Sequence, residues 1–391
     1  DGTLEFNSSV FAKLNADKVE SKILKADQSN TAIIYNDKYF FKFYRKLERE
    51  INPDLEIVRF LSENTSFKNS PKYAGSVEFH DTEGKTIVFG LLQEKVENQG
   101  DAWNVTIDSV GRFYERVMTK AKKEKLPKLI NKAAIKFEEA PEIIQEFIGL
   151  GFYERVVRLG QRTAEMHLAL ASDSSSPAFA PEYFSANYQR SLYSSLRKLV
   201  KDRFKLLEQQ KHRLNKDAQA LADKVLALED QVLECFSEIY MTRISAIKTR
   251  IHGDYHLGQV LFTGKDFVII DFEGEPGFSF SERRLKKSPI KDVAGMIRSF
   301  HYAAFGKILL NENYREKDLE FLEQWAEQWQ HYVSRFYLGA YMERMGTGLT
   351  LSEEDEILIR VYLIEKAVYE LGYELNGRPD WVIIPLRGIY Y

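Results

Sequence analysis

Residues 251–277, IHGDYHLGQVLFTGKDFVIIDFEGEPG, contain the pattern that decides the fold. Two apolar, β-branched runs, QVLFT and DFVIIDF, flank Gly264 and Lys265, which predicts a β-hairpin. Gln259 and Asp271 both lie six residues from Lys265, so a turn centred there would place them opposite each other on paired strands. An amide oxygen and a carboxylate oxygen at that separation are suited to share a Mg²⁺ ion.

Asp254 precedes Gln259 by five residues, in the loop that leads into the same strand. A carboxylate base, then an amide, then a second carboxylate beyond a hairpin is the arrangement that phosphoryl transfer in kinases requires. The kinase pattern has Asn at the amide position and Gly after Asp-Phe, where this chain has Gln259 and Glu273. We predict Asp254 as the catalytic base, with Gln259 and Asp271 as ligands of Mg²⁺.

Two other interpretations of this stretch stay open. His252, Asp254 and His256 alternate along the chain and would share one face of a strand, as a His-x-Asp-x-His metal site requires. That site would leave Gln259 and Asp271 without a role, and His252 is more simply explained as a hydrogen-bonding residue of the loop. An ordinary surface hairpin, the second interpretation, does not explain an aspartate that interrupts the apolar run at position 271.

Residues 25–96 are typical of a sheet that carries one helix. TAIIY, YFFKFY and TIVFGLLQ are predicted strands, and INPDLEIVRFLSENT is a predicted helix that begins with Asn-Pro-Asp. Lys42 lies inside YFFKFY, where a charge is costly unless it is paired, and Glu56 on the following helix is its predicted partner. The alternative is a lysine on an edge strand that reaches water.

The rest of the chain consists mainly of long amphipathic segments, which predict helices. The predicted fold is therefore α+β and two-lobed, with a small β-rich N-terminal lobe (residues 1–95) and a large, mostly helical C-terminal lobe (residues 96–391) that carries the catalytic loop and the metal site. By position in this plan, backbone groups at Glu94 and Val96 would hold the adenine of ATP. Ser29, Asn30 and Thr31 stand where a glycine-rich phosphate loop would be expected.

The composition excludes several classes of function. The 55 basic and 58 acidic residues give a formal net charge of -3, so nothing favours nucleic acid or an anionic membrane as a partner. Cys235 is the single cysteine, which excludes an intrachain disulfide and a thiolate zinc site. With no signal peptide and no long apolar run in the sequence, we expect a cytoplasmic protein that acts on small molecules.

Several segments together are more specific than the general kinase pattern: HGDYHLGQVL, DFVIIDFEGEP, SERRLKKSPIKDVAGMIRSFHYAA, NPDLE, NQGDAW, RTAEMHLALA and RPDWVIIPLRGI. They resemble the bacterial maltokinases, sugar kinases with the two-lobed fold of the aminoglycoside phosphotransferases and eukaryotic-like kinases. The resemblance covers nearly the whole chain. It implies transfer of the γ-phosphate of ATP to the anomeric hydroxyl of maltose, giving maltose 1-phosphate for α-glucan synthesis, and fusion to or association with trehalose synthase.

The resemblance implies the same roles for the three hairpin residues and adds a sugar site. It places Lys366 and Tyr369, three residues apart on one helix face, at the sugar, and we assign His256, beside Asp254, to the substrate site as well. Without the resemblance, an exposed Lys366–Glu370 pair and a core Tyr369 would be the simpler interpretation.

Two alternative functions remain. An aminoglycoside-type phosphotransferase with a cationic acceptor would need carboxylates in its pocket, and Glu365, Glu370 and Glu374 lie on the C-terminal helices. A catalytically inactive kinase-fold module of a trehalose synthase fusion would have no reason to keep Lys42, Asp254 and Asp271 together, and the sequence has all three.

Overall fold

The computed structural model describes residues 2–9, 19–24, 30–309, 314 and 316–390. The strands are β1 Gly2–Ser8, β2 Ser21–Leu24, β3 Thr31–Tyr35, β4 Tyr39–Phe43, β5 Tyr73–Asp81, β6 Thr86–Glu94, β7 Glu182–Tyr183, β8 Ile247–Lys248, β9 Val260–Phe262 and β10 Phe267–Ile269. The helices are α1 Pro53–Asn64, α2 Ala102–Lys120, α3 Glu142–Ile148, α4 Leu150–Leu170, α5 Ala186–Gln210, α6 Lys216–Leu226, α7 Glu229–Met241, α8 Phe280–Arg283, α9 Ile290–Leu309, α10 Glu316–Met345, α11 Glu353–Gly377 and α12 Ile383–Tyr390.

These elements pack into two compact units. The first unit takes its described residues from Asp1–Ala102, Glu165–Ala180 and Thr249–Lys286. The second takes them from Trp103–Ala164, Pro181–Lys248 and Lys287–Tyr391. The β9–β10 hairpin and the loop before it therefore belong to the same unit as the N-terminal sheet. The lobe boundary between residues 95 and 96 stays a prediction.

The first unit is built on a six-stranded sheet in the order β1-β5-β6-β4-β3-β2. All neighbouring strands in it are antiparallel. Lys42, on β4, lies opposite Ala32 of β3 and Leu91 of β6. The strand that carries this lysine is thus an interior strand, and the interpretation of Lys42 as an edge-strand residue is wrong.

Helix α1 begins as its sequence predicts. The side chain of Asn52 caps the helix by accepting a hydrogen bond from the backbone N–H of Asp54 at 2.9 Å, and Pro53 takes the first helical position. Leu55 and Leu61, on the apolar face of the helix, are buried, at 1% and 0% exposure. The cap fixes where the helix starts, and with it the direction in which each carboxylate of the first turn points.

The second unit is mostly helical. Helices α5, α6, α7, α11 and α12 surround one apolar core that includes Leu196, Phe236 and Leu358. With an antiparallel sheet in the N-terminal region and a mostly helical remainder, the predicted α+β class is confirmed. No helix within the described residues has the length and apolar character needed to cross a membrane.

Candidate active site

Lys42 is the centre of a buried cluster of charges. Its ammonium lies 2.7 Å from Asp54 and 3.2 Å from Glu273, and it is also bonded to Asp271. Burial alone would lower the pKa of this lysine, but the charges of Asp271, Asp54 and Glu273 outweigh burial and raise its pKa well above 10.5. The side chain is only 13% exposed, so a fixed positive charge is held inside the first unit.

The prediction that Glu56 pairs with Lys42 is wrong. Asp54 takes that place, and it also accepts hydrogen bonds from the Tyr44 hydroxyl and from the backbone N–H of Phe272, both at 3.0 Å. Successive helix positions are about 100° apart, so side chains separated by two residues point to nearly opposite sides. Glu56 therefore points away from Lys42.

Glu56 instead binds two arginines that come from the segment around the hairpin. It lies 2.6 Å from Arg250, which is 2% exposed, and 2.8 Å from Arg284. Burial by itself would raise the pKa of Glu56, but Arg284 and Arg250 outweigh it, so the pKa lies below its usual value. Glu56 is therefore a structural partner of the segments on either side of the hairpin.

The hairpin forms, with its register shifted by one residue from the predicted one. Phe262 pairs with Phe267, and the backbone N–H of Ile270 donates to the carbonyl of Gln259 at 3.0 Å, so Gln259 faces Ile270 rather than Asp271. The connection is the four-residue turn 263–266, which moves the centre of the hairpin by half a residue. The predicted cross-strand pair of Gln259 and Asp271 is therefore wrong in register.

Gln259 and Asp271 are still neighbours. Asp271 has a φ of +66°, a left-handed conformation that is uncommon outside glycine, and it leaves the strand direction at this point. Burial alone would raise the pKa of Asp271, but Lys42 lowers it, with a contribution from a hydrogen bond to Gln259. The local backbone turn therefore restores a contact that the strand register would not give.

The loop before the hairpin is ordered by His252, which is 1% exposed. Its Nε2 donates to the carbonyl of Ile270 at 2.9 Å, and its Nδ1 accepts a long hydrogen bond, 3.4 Å, from the backbone N–H of Asp254. Because both ring nitrogens are engaged, His252 is a structural residue, as the simpler interpretation expected. The alternative metal site of His252, Asp254 and His256 is not supported by this geometry.

Asp254 and His256 lie side by side. The Nε2 of His256 is 4.0 Å from the Oδ2 of Asp254, and its Nδ1 accepts from the backbone N–H of Gly258 at 3.1 Å. Gly253, with a φ of +87°, passes so close to Gly274 that a Cβ on it would lie 3.3 Å from the Gly274 Cα. The absence of a side chain on Gly253 allows the loop of Asp254 to pack directly against the chain after Asp271.

Two adjoining cavities of the first unit collect most of the predicted residues. The larger, about 490 Å³, is lined by the following predicted residues: Asn30, Lys42, Glu94, Val96, Gln259 and Asp271. The smaller, about 120 Å³, is lined by Asp254 and Arg283 and again by Asn30, Gln259 and Asp271. Residues from separate stretches of the sequence are thus brought to one place.

The remaining predicted residues are more scattered. Ser29 lies outside the described residues, and Thr31 opens strand β3 opposite Phe43. Asn30 donates to Glu273 at 2.5 Å. In the second unit, the Lys366 ammonium lies 5.2 Å above the Tyr369 ring, and both side chains are half-buried.

The cluster has the donor set that a hard divalent cation prefers. Among the described residues, the carboxylates of Asp54, Asp271 and Glu273 form one group in which one oxygen from each residue lies within 4.8 Å of the others. The sequence pattern assigns no role to Asp54 or to Glu273, although both lie in the motifs NPDLE and DFEGEP. The sequence does not contain the orientation of α1 relative to the sheet, which places Asp54 rather than Glu56 on the side of Lys42.

No family model matches the chain. It is 30% identical over 135 residues to a glucosamine kinase of Mycolicibacterium smegmatis, which is 34% of this chain and 32% of that protein. It is 22% identical over 228 residues to a glucosamine kinase of Streptacidiphilus jiangxiensis, which is 58% of this chain and 47% of that protein. The chain thus spans from about a third to about half the length of the curated relatives it matches.

A solved glucosamine kinase in complex with glucosamine, ADP and inorganic phosphate aligns with 99% of this chain and 78% of its own, with a TM-score of 0.72 and 16% identity. A second crystal form of a glucosamine kinase aligns with a TM-score of 0.71. At this identity the similarity concerns the fold. The relatives carry the name glucosamine kinase rather than maltokinase, so they support the kinase-fold part of the resemblance. The chain has the kinase-like fold predicted from its sequence.

Proposed function

We propose that this chain is an ATP-dependent kinase that phosphorylates a sugar. The proposal is carried by one observation: Lys42, Asp254, Gln259 and Asp271 line two adjoining cavities that share Gln259 and Asp271. A buried cation, a base carboxylate and oxygen ligands in one place are the parts that phosphoryl transfer needs. The similarity in fold to solved glucosamine kinases supports the same conclusion.

The larger cavity is the proposed nucleotide site. Its volume of about 490 Å³ lies within the usual range for small-molecule sites. The backbone N–H groups of Glu94 and Lys95 are tied to the carbonyls of Lys72 and Lys38, both at 2.8 Å, which fixes the wall where adenine would lie. At the other end, Lys42 supplies the positive charge for the phosphates, and Asp54 holds it in place.

Gln259 and Asp271 fit a magnesium ion, because both supply oxygen atoms and Asp271 belongs to the carboxylate group around Lys42. When bound, the ion would offset the negative charge of the phosphates. The lowered pKa of Asp271, which Lys42 maintains against the effect of burial, keeps this carboxylate ionised and ready to act as a ligand.

Asp254 is the proposed base. It lines the smaller cavity and is 19% exposed, so an acceptor hydroxyl has access to its carboxylate. In the reaction, the acceptor oxygen forms a bond to the γ-phosphorus while the bond to the β,γ-bridging oxygen breaks. Asp254 takes the hydroxyl proton, and ADP leaves with the displaced oxygen.

For the acceptor we propose maltose, on the resemblance of the motifs. A neutral acceptor is supported by the second unit, where the three glutamates considered for binding a cationic acceptor are paired with basic side chains. Glu365 lies 2.6 Å from Lys291, and Glu370 lies 2.7 Å from Arg298. Glu374 is in turn paired with Arg378 at 2.7 Å. The roles of Lys366 and Tyr369 at the sugar, and a partnership with trehalose synthase, rest on the resemblance alone. The assignment of His256 to the substrate site rests on its position beside Asp254.

Glucosamine is the second candidate acceptor. It is favoured by the names of the two curated relatives and of the solved structures. Its ammonium group would require a carboxylate that lacks a cationic partner.

A panel of acceptors tests the proposed function. ADP release by the purified chain would be measured with ATP and Mg²⁺ in the presence of maltose, glucosamine, glucose, trehalose or kanamycin. We expect turnover with maltose and a product that no longer reduces copper, because the anomeric hydroxyl is then blocked. Turnover with glucosamine alone would retain the kinase and change its acceptor. No ADP release with any of these acceptors would contradict the proposal.

Removal of the amide ligand tests the metal site. In the Gln259→Ala variant we expect the Mg²⁺ concentration for half-maximal activity to rise at least about tenfold, since even indirect partners of metal ligands cost that much. Gln209→Ala, at an exposed position on α5, is the matched control. An unchanged magnesium dependence would remove Gln259 from the proposed ligand set.

A further inference from the structure

Arg283 lines the smaller cavity together with Asp254, Gln259 and Asp271. It is the last residue of the short helix α8, and the first residue of that helix is hydrogen-bonded to the segment before α1. The backbone N–H of Phe280 donates to Glu48 at 2.8 Å. The position of this arginine beside the proposed base and metal ligands is therefore fixed by its helix.

The guanidinium of Arg283 is held by backbone carbonyls. Its Nε donates to Phe278 at 2.9 Å, its Nη2 to Pro276 at 2.9 Å and its Nη1 to Glu273 at 3.3 Å. The stem of the side chain packs on Gly274, where a Cβ would lie 3.4 Å from the Arg283 Cβ. The loop between Asp271 and α8 thus wraps around this one side chain.

Carbonyl oxygens orient a guanidinium without neutralising its charge. Among the described residues, no carboxylate lies within 4.0 Å of the Arg283 guanidinium, whereas the next residue, Arg284, is paired with Glu56. A guanidinium has five N–H donors, and the three carbonyls occupy three of them. A preorganised positive charge with donors to spare therefore borders the cavity that Asp254 lines.

We propose that Arg283 is a catalytic residue that donates hydrogen bonds to the phosphoryl group as it is transferred from nucleotide to acceptor. The inference rests on the proposed function and deepens it. Negative charge is spread over the phosphoryl oxygens during transfer, and a fixed arginine stabilises it without losing its own proton. The competing explanation is that Arg283 only holds the loop of residues 273–278 in shape.

The test compares Arg283→Ala and Arg283→Lys with Arg49→Ala, an exposed arginine of the same unit that is bonded to Asp81. We expect Arg283→Ala to lower kcat by about 10²-fold or more, with a much smaller change in the KM for ATP. Lysine should recover little, because it lacks the planar donor fork. Added guanidinium ion at low millimolar concentration should restore part of the activity of Arg283→Ala. It should leave the activity of Arg49→Ala unchanged.

A binding measurement separates catalysis from loop shape. The wild type should bind ADP with Mg²⁺ and fluoroaluminate, which mimics the phosphoryl group in transfer, more tightly than ADP with Mg²⁺ alone. Arg283→Ala should lose that preference while keeping its affinity for ADP. A kcat of Arg283→Ala within threefold of the wild type would overturn the inference about Arg283 and leave the proposed function standing. So would a loss of activity that guanidinium does not rescue, in a variant that still prefers ADP with fluoroaluminate to ADP alone. A wild type with neither turnover nor nucleotide binding would overturn the proposed function with it.

Discussion

Replacing Asp254 by Asn is expected to lower kcat by about 10²- to 10⁴-fold, the range for loss of a positioned general base. Asn keeps the shape of the side chain and cannot accept a proton at neutral pH. The bond from the backbone N–H of Asp254 to His252 is unchanged by this substitution, which favours an unchanged loop. The affinity for ATP and the melting temperature should therefore stay close to those of the wild type.

Steady-state ADP release and nucleotide binding would be measured on the same preparations. Asp202→Asn, at an exposed position on α5, is the matched control and should behave as the wild type. Near-normal turnover by Asp254→Asn would contradict the assigned base. A loss of activity that came with an equal loss of nucleotide binding would point to a damaged loop.

Of the substitutions considered for this protein, Glu56→Ala should lower the free energy of unfolding most. Arg250 is 2% exposed, and Glu56 is its carboxylate partner at 2.6 Å. Removing one member of a buried ion pair leaves an uncompensated charge, which costs about 3 to 5 kcal/mol of unfolding free energy. Denaturant unfolding would measure the loss. Glu63→Ala, an exposed glutamate on the same helix, should change the unfolding free energy by less than about 0.5 kcal/mol.

The contribution of Glu56 should also depend on pH. Burial acts to raise the pKa of Glu56, but the hydrogen bonds and charges of Arg284 and Arg250 lower it below 4.5. A carboxyl whose folded pKa is depressed contributes stability that is fully present above the unfolded pKa and is lost as the pH falls through the folded pKa. The gap in stability between wild type and Glu56→Gln should therefore narrow below about pH 4.5. A gap that did not change with pH would contradict this assignment.

The partner of Lys42 marks where sequence reasoning reached its limit. The placement of Lys42 on a strand and the need for a carboxylate on the next helix both follow from the sequence. The choice between Asp54 and Glu56 depends on the angle at which α1 leaves its Asn52 cap relative to the sheet. That angle is a result of tertiary packing, which helical periodicity does not contain.

The hairpin illustrates a second limit. Its two strands follow from their β-branched residues, but a turn centred on Lys265 alone lies half a residue later than the turn of residues 263–266. The contact of Gln259 with Asp271 depends on the left-handed backbone of Asp271, which no residue type announces. Arg283 was missed for the same reason, because its carbonyl partners are created by the folded loop.

The most direct measurement is a ³¹P NMR spectrum of the chain with ATP, Mg²⁺ and maltose or glucosamine as acceptor. If Lys42, Gln259, Asp271 and Asp254 form one phosphotransfer site, the γ-phosphate signal should decrease while the signals of ADP and a sugar phosphate rise in equal amounts. The sugar phosphate should be absent with Asp254→Asn over the same time. Unchanged ATP, or release of inorganic phosphate without any sugar phosphate, would contradict the proposed sugar kinase.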